Sequence, residues 1–161
     1  MKKRLSKSPI GHHFKSRQPK FKLKKALAID WYGGSPFRTA FENAFSMLFP
    51  LGERSFIESV KYFQDQIHDQ KLLSEMKEFY GQEAVHRKEH QNYNNLLCEL
   101  RGYNQESFLK SQKIRHEWAK KTLSPKRRLA GTVAAEHLTA ILADNLLSNK
   151  DHFRNADPLI S

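Results

Sequence analysis

The stretch QEAVHRKEH, residues Gln82–His90, sets three chemistry-bearing side chains at spacings of three and four residues. On a helix turning about 100° per residue, Glu83, His86 and His90 then lie along one side. Leu72, Met76, Phe79 and Leu97 fall on that same side, so the polar trio interrupts an apolar stripe that should face a core. Carboxylates and imidazoles taken out of water need partners. A bound cation, an ion pair or a hydrogen-bond network would each offset the desolvation cost.

Outward from this stretch, Asp69 is a helix start and Gly102 a helix stop, with Leu72 to about Leu100 as the body between them. Upstream, DWYGGS at 30–35 reads as a turn, and Ser35 followed by Pro36 pairs a capping hydroxyl with a proline at the first helical position. That earlier helix should reach about Ile67, with a kink or break near Phe49 imposed by Pro50. Glu53 lies on a face with Phe49, Phe56, Ile57, Val60, Phe63 and Ile67, an inward-facing acid among apolar neighbours.

Downstream, a third helix from about Gln105 to Thr122 should turn Phe108, Ile114 and Trp118 toward the core, with Leu123 beside them. Ser124-Pro125 repeats the cap-plus-proline signal, and a fourth helix is expected from about Lys126 to Ser148. There Glu136 shares a side with Leu129, Val133, Ala140, Ala143 and Leu147, where alanines permit close helix approach. His137 is rotated by about 100° from it and reads as a flanking residue. Asn155 to Pro158 resembles the start of another helix, continued by Leu159 and Ile160. No strand alternation and no repeat is present, so the chain reads as all-α.

A chain of 161 residues with 39% hydrophobic content suits a single folded domain. No apolar run reaches the roughly 18 residues needed to span a membrane, and the basic start leads into no secretory h-region. A cytoplasmic location is therefore expected. Cys98 is the sole cysteine, which excludes an intrachain disulfide and a thiolate zinc site.

The net charge of +11 is concentrated in residues 1–25, which hold ten Lys or Arg and no acid, against 18 basic and 17 acidic residues in the remainder. The expected division is a basic, largely irregular arm over 1–33 and a helical bundle over 34–161. Without a recognition motif beside the charge, nucleic-acid binding is disfavoured.

Glu-x-x-His alone carries little weight. With eleven glutamates and eight histidines in the chain, about 0.5 such pairs arise by chance. The helical setting adds more: Glu83 and His86 form one pair, and Glu53 and Glu136 each come from another helix. Dimetal carboxylate bundles use a Glu from each of two helices and a Glu-x-x-His from each of two others, so four of six ligands are present. A buried polar network without metal uses the same residues.

The blocks FPLGERSFIESV (49–60), GQEAVHRKEH (81–90) and AAEHLTAILAD (134–144), in this order and spacing, resemble a bacterial family of predicted metal-dependent hydrolases. The resemblance implies a ferritin-like helical bundle of long antiparallel helices. It implies metal roles for Glu53, Glu83, His86 and Glu136 in a centre of divalent ions, with iron, manganese and zinc not distinguished. His90 reads as a metal ligand, as a donor beside the ligands that moves protons, or as a satisfied core histidine, the second being the expectation. The implied activity is water activation for hydrolysis of an unknown small-molecule substrate. The same ligands would also suit a di-iron oxidoreductase.

Relatives of this kind continue past the equivalent of Leu159 into a helix bearing a second Glu-x-x-His. The present chain therefore reads as truncated before the last metal-binding helix, with its bundle incomplete at the C-terminus. A non-catalytic bundle, or a homo-oligomer covering the open face, is the corresponding alternative.

Overall fold

Caps and breakers divide the chain where local chemistry requires it. The computed structural model describes residues 16–149 and 151–158. Its elements are a short helix α1 (Lys24–Leu27), long helices α2 (Pro36–Lys61) and α3 (Gln70–Arg101), then α4 (Gln105–Thr122) and α5 (Pro125–Ser148). Ser35 and Ser124 accept hydrogen bonds from the Arg38 and Arg127 amides, each ahead of a first-turn proline. Asp69 accepts from the amides of Lys71 and Leu72. Gly102 ends α3 at a φ of 69°, a left-handed conformation that glycine adopts without steric cost.

The protein is all-α, with no strand among the described residues and an isolated bridge pairing Tyr32 with Ala156. α2 stops at Lys61, and a 3₁₀ turn at Gln64–Gln66 covers the rest of the segment expected to be helical up to Ile67. α2 runs on through Pro50. Proline has no N–H, so the Ser46 carbonyl four residues earlier loses its helical donor. Asn94 of α3 replaces it, donating from Nδ2 at 3.3 Å.

α2 and α3 pack antiparallel, as the pairings of Ser46 with Asn94 and of Glu53 with His90 require. The apolar core lies toward the α2 start and the α3 end: Leu27, Trp31, Tyr32, Met47 and Leu97 form one buried cluster. Three of these five precede α2, so the segment expected as irregular arm and turn supplies most of the cluster. The Trp31 indole N–H donates to Asn43 Oδ1 at 3.1 Å, and Tyr93 donates to the same oxygen at 2.7 Å.

Residues 151–156 form turns that strap across this end, with the Asp157 amide donating to the Trp31 carbonyl at 2.8 Å. Gly33 makes the crossing feasible. Its φ is 61°, and a Cβ there would lie 2.9 Å from the Asn155 side chain. Over the described residues this region is therefore a strap, where a new helix was expected; Leu159 and Ile160 lie outside them, as does the basic arm through Lys15.

The outer helices differ from expectation in which face is covered. In α4, Leu109 is buried, whereas Phe108, Ile114 and Trp118 are 43%, 62% and 58% exposed. In α5, Thr132 is buried, Glu136 is half-buried, and Val133, Ala140, Ala143 and Leu147 are exposed. Ser59 of α2 and Thr132 share a 2.8 Å hydroxyl hydrogen bond, so α5 meets α2 along a small polar stripe. On its wider apolar side Val133, Leu138, Ile141, Leu142 and Leu147 are exposed. No described helix is long and apolar enough to cross a membrane.

Candidate metal centre

Beyond the apolar cluster, the α2–α3 seam changes character. Glu53 and Glu83 are buried, 3% and 4% exposed, on facing helices. Ligand atoms of Glu53, Glu83 and His86 lie within 4.8 Å of one another. His86 Nδ1 is 3.7 Å from Glu83 Oε1, and the His86 side chain sits at the rim, half in water. The helical spacing thus brings Glu83 and His86 together as expected, but one points into the seam and the other flanks its mouth.

Two carboxylates this deep cannot both ionise easily. Burial, then repulsion from Glu83 and Glu136, pushes the Glu53 carboxyl up to about 8, against a smaller opposing pull from Arg87. Burial and the Glu136 charge push Glu83 up to about 7. Desolvation also raises Glu136. Glu53 Oε2 is buried with no hydrogen-bond partner among the described residues. An unpartnered buried carboxylate oxygen beside two further acids is costly as it stands, and a cation would relieve both the repulsion and the missing contact. The residues present therefore fit a divalent metal.

The other expected site residues fall at different distances. Glu136 comes close enough from α5 to act electrostatically on Glu53 and Glu83, though it lies outside the group of three. His90 Nε2 is 3.9 Å from Glu53 Oε1, and its ring stacks on Phe49 at a centroid distance of 4.5 Å. Burial, with the nearby His86, lowers His90 to about 4. A neutral imidazole at physiological pH follows from that shift. His137 lies on the far side, lining an open apolar groove with Phe63, Leu129 and Val133.

Two residues escaped the sequence reading. Ser46 and Asn94 are buried between α2 and α3 and connect to the site through a 3.0 Å contact from Ser46 Oγ to His90 Nδ1. The available signal was Pro50, which frees the carbonyl four residues before it. A second serine–histidine contact, Ser55 Oγ to His116 Nδ1 at 2.8 Å, is not a nucleophile in waiting. The Ser55 hydroxyl donates to the Leu51 carbonyl at 2.8 Å, so the imidazole is the donor and takes no proton from it.

Comparison with curated proteins finds no match, and comparison with solved structures finds none either. One family model, described as predicted metal-dependent hydrolase, matches residues 15–161, which takes in α1 to α5 and every candidate ligand above. The chain accordingly belongs to the predicted metal-dependent hydrolase family.

Proposed function

We propose that Glu53, Glu83 and His86 hold a divalent metal ion, that Glu136 contributes to a second position beside it, and that the centre hydrolyses a small-molecule substrate. The observation that carries this reading is the pair of buried acids with raised pKa values, one with an oxygen lacking a partner among the described residues, within ligand distance of an imidazole. Three carboxylates carry more negative charge when ionised than one divalent cation neutralises, which favours two. Iron, manganese and zinc all suit this mix of carboxylate and imidazole.

A bound divalent ion would supply water activation and polarisation of the scissile group at neutral pH. The chain's own part is preparatory. Glu53 and Glu83 release their protons as they become ligands. His86 is kept neutral by burial, its pKa lowered from the usual imidazole value, so its nitrogen lone pair is available at pH 7. Its rim position, beside the exposed Arg87, leaves that edge of the seam open to a substrate. Phe49 stacks on the His90 ring beside Glu53.

The test is metal analysis after reconstitution, coupled to hydrolysis of chromogenic ester and phosphoester substrates. Wild type should retain metal through gel filtration and lose hydrolysis on chelation. A Glu83→Gln, His86→Ala double variant should retain none. Equal metal content in the two proteins would defeat the assignment.

A homo-oligomer covering the uncovered side of α5 is the corresponding reading of Val133, Leu138, Ile141, Leu142 and Leu147, all exposed. Exposed apolar surface on this scale favours self-association. A concentration-independent monomer in sedimentation would count against it.

A further inference from the structure

Hydrogen-bond polarity can be traced along a chain of contacts that begins at a proline. Pro50 has no N–H to offer the Ser46 carbonyl, and a carbonyl oxygen only accepts. The group donating to it at 3.3 Å must be the Asn94 amide nitrogen. Asn94 Oδ1 then faces Ser46 Oγ at 3.0 Å and accepts the single hydroxyl proton. With its proton committed, Ser46 Oγ can only accept from His90 Nδ1, 3.0 Å away. Nδ1 therefore carries the ring hydrogen, and Nε2 carries a lone pair.

That lone pair faces Glu53 Oε1 at 3.9 Å. Two acceptors turned toward each other, with the other oxygen of the same carboxylate unpartnered among the described residues, gain nothing unless a proton or a cation joins them. Stacking on Phe49, with the ring planes 15° apart, holds the imidazole plane, so a ring flip that would turn both nitrogens away from these partners is hindered.

We propose that His90 Nε2 is a further ligand of the metal centre, and that Pro50, Asn94 and Ser46 form a relay that holds His90 in the tautomer that ligation needs. The proposal rests on the reading that Glu53, Glu83 and His86 bind metal. It converts His90 from a proton carrier into a ligand that meets the centre through Glu53. Ser46 and Asn94 are positioning residues: they touch neither metal nor substrate and act by orienting the ring.

Cobalt(II) titration of the full chain, followed by its visible d–d absorption, tests this together with nitrogen NMR of the imidazoles in the metal-free protein. Metal-free wild type should show His90 protonated at Nδ1. His90→Phe, which keeps an aromatic ring against Phe49, should weaken cobalt binding by about tenfold or more and alter the absorption. Ser46→Ala should mix the His90 tautomers and weaken cobalt binding by about tenfold, while Ser46→Thr, which keeps the hydroxyl, should restore both readouts.

Wild-type affinity and spectrum in His90→Phe, with binding lost in Glu83→Gln, would overturn the ligand assignment and leave the three-residue site standing. Failure of wild type to take up cobalt would overturn both. An Nε2–H tautomer in metal-free wild type would overturn the relay.

Discussion

Replacing Glu53 by Gln should make the metal-free protein more stable, and increasingly so as pH rises. Burial and the neighbouring acids push the Glu53 carboxyl from its ordinary 4.5 up to about 8 in the folded chain, so between these values the native state holds a proton that the unfolded state has lost. Stability then falls with rising pH, by about 1.4 kcal/mol per pH unit for one such group. It is fully present below about 4.5 and fully lost above about 8.

At pH 7 the unscreened cost is about 3 kcal/mol. Water at the open rim screens the share owed to Glu83 and Glu136, and we take roughly 1–2 kcal/mol as the gain for Glu53→Gln. Gln keeps the shape, and its amide can donate toward His90 Nε2. Urea denaturation in chelator at pH 5, 7 and 8 measures it: the two curves should nearly coincide at pH 5 and separate progressively. Divalent metal should reverse the order, stabilising only the wild type. Parallel pH profiles, or a variant less stable than wild type at pH 8, would refute the reasoning.

Metal uptake itself should release protons from Glu53 and Glu83 and weaken as pH falls below about 7, by about tenfold per pH unit for each proton displaced; calorimetry in buffers of different ionisation enthalpy counts them. Leu97→Ala should cost about 2–5 kcal/mol in urea denaturation, because Leu97 is fully buried in the cluster with Trp31 and Met47. Ser59→Ala and Thr132→Val should each cost about 1 kcal/mol. The double variant should cost less than their sum, since the two hydroxyls bond each other across α2 and α5; strict additivity in the cycle would show that this contact does not fasten α5.

The arrangement explains how an acidic site can persist inside a bundle without metal. The apolar cluster of Leu27, Trp31, Tyr32, Met47 and Leu97 lies at one end of the α2–α3 pair, and the acids lie beyond it along the same seam. Folding can draw on the first region to offset the second, where protonation of Glu53 removes much of the charge repulsion. Between them sits the Ser46–Asn94 relay, fully hydrogen-bonded and therefore inexpensive to bury. Metal binding would then exchange protons for cations in a seam already assembled.

Local chemistry was legible from residue order. Ser35-Pro36, Asp69, Gly102 and Ser124-Pro125 mark helix ends because caps and breakers act within four residues of themselves, and the structure places the ends there. The grouping of Glu83 with His86 follows equally from helical spacing. What periodicity cannot supply is the neighbour: it names residues sharing a face but not whether another element covers that face. Only the tertiary structure left Trp118 and Val133 in water, put His86 at the rim, and drew Trp31 and Tyr32 into the core under a strap from residues 151–156. The same holds for His90. Its place on the helix was set by sequence, but the direction of its lone pair depends on Asn94 meeting the Ser46 carbonyl freed by Pro50, and that meeting joins residues 48 positions apart.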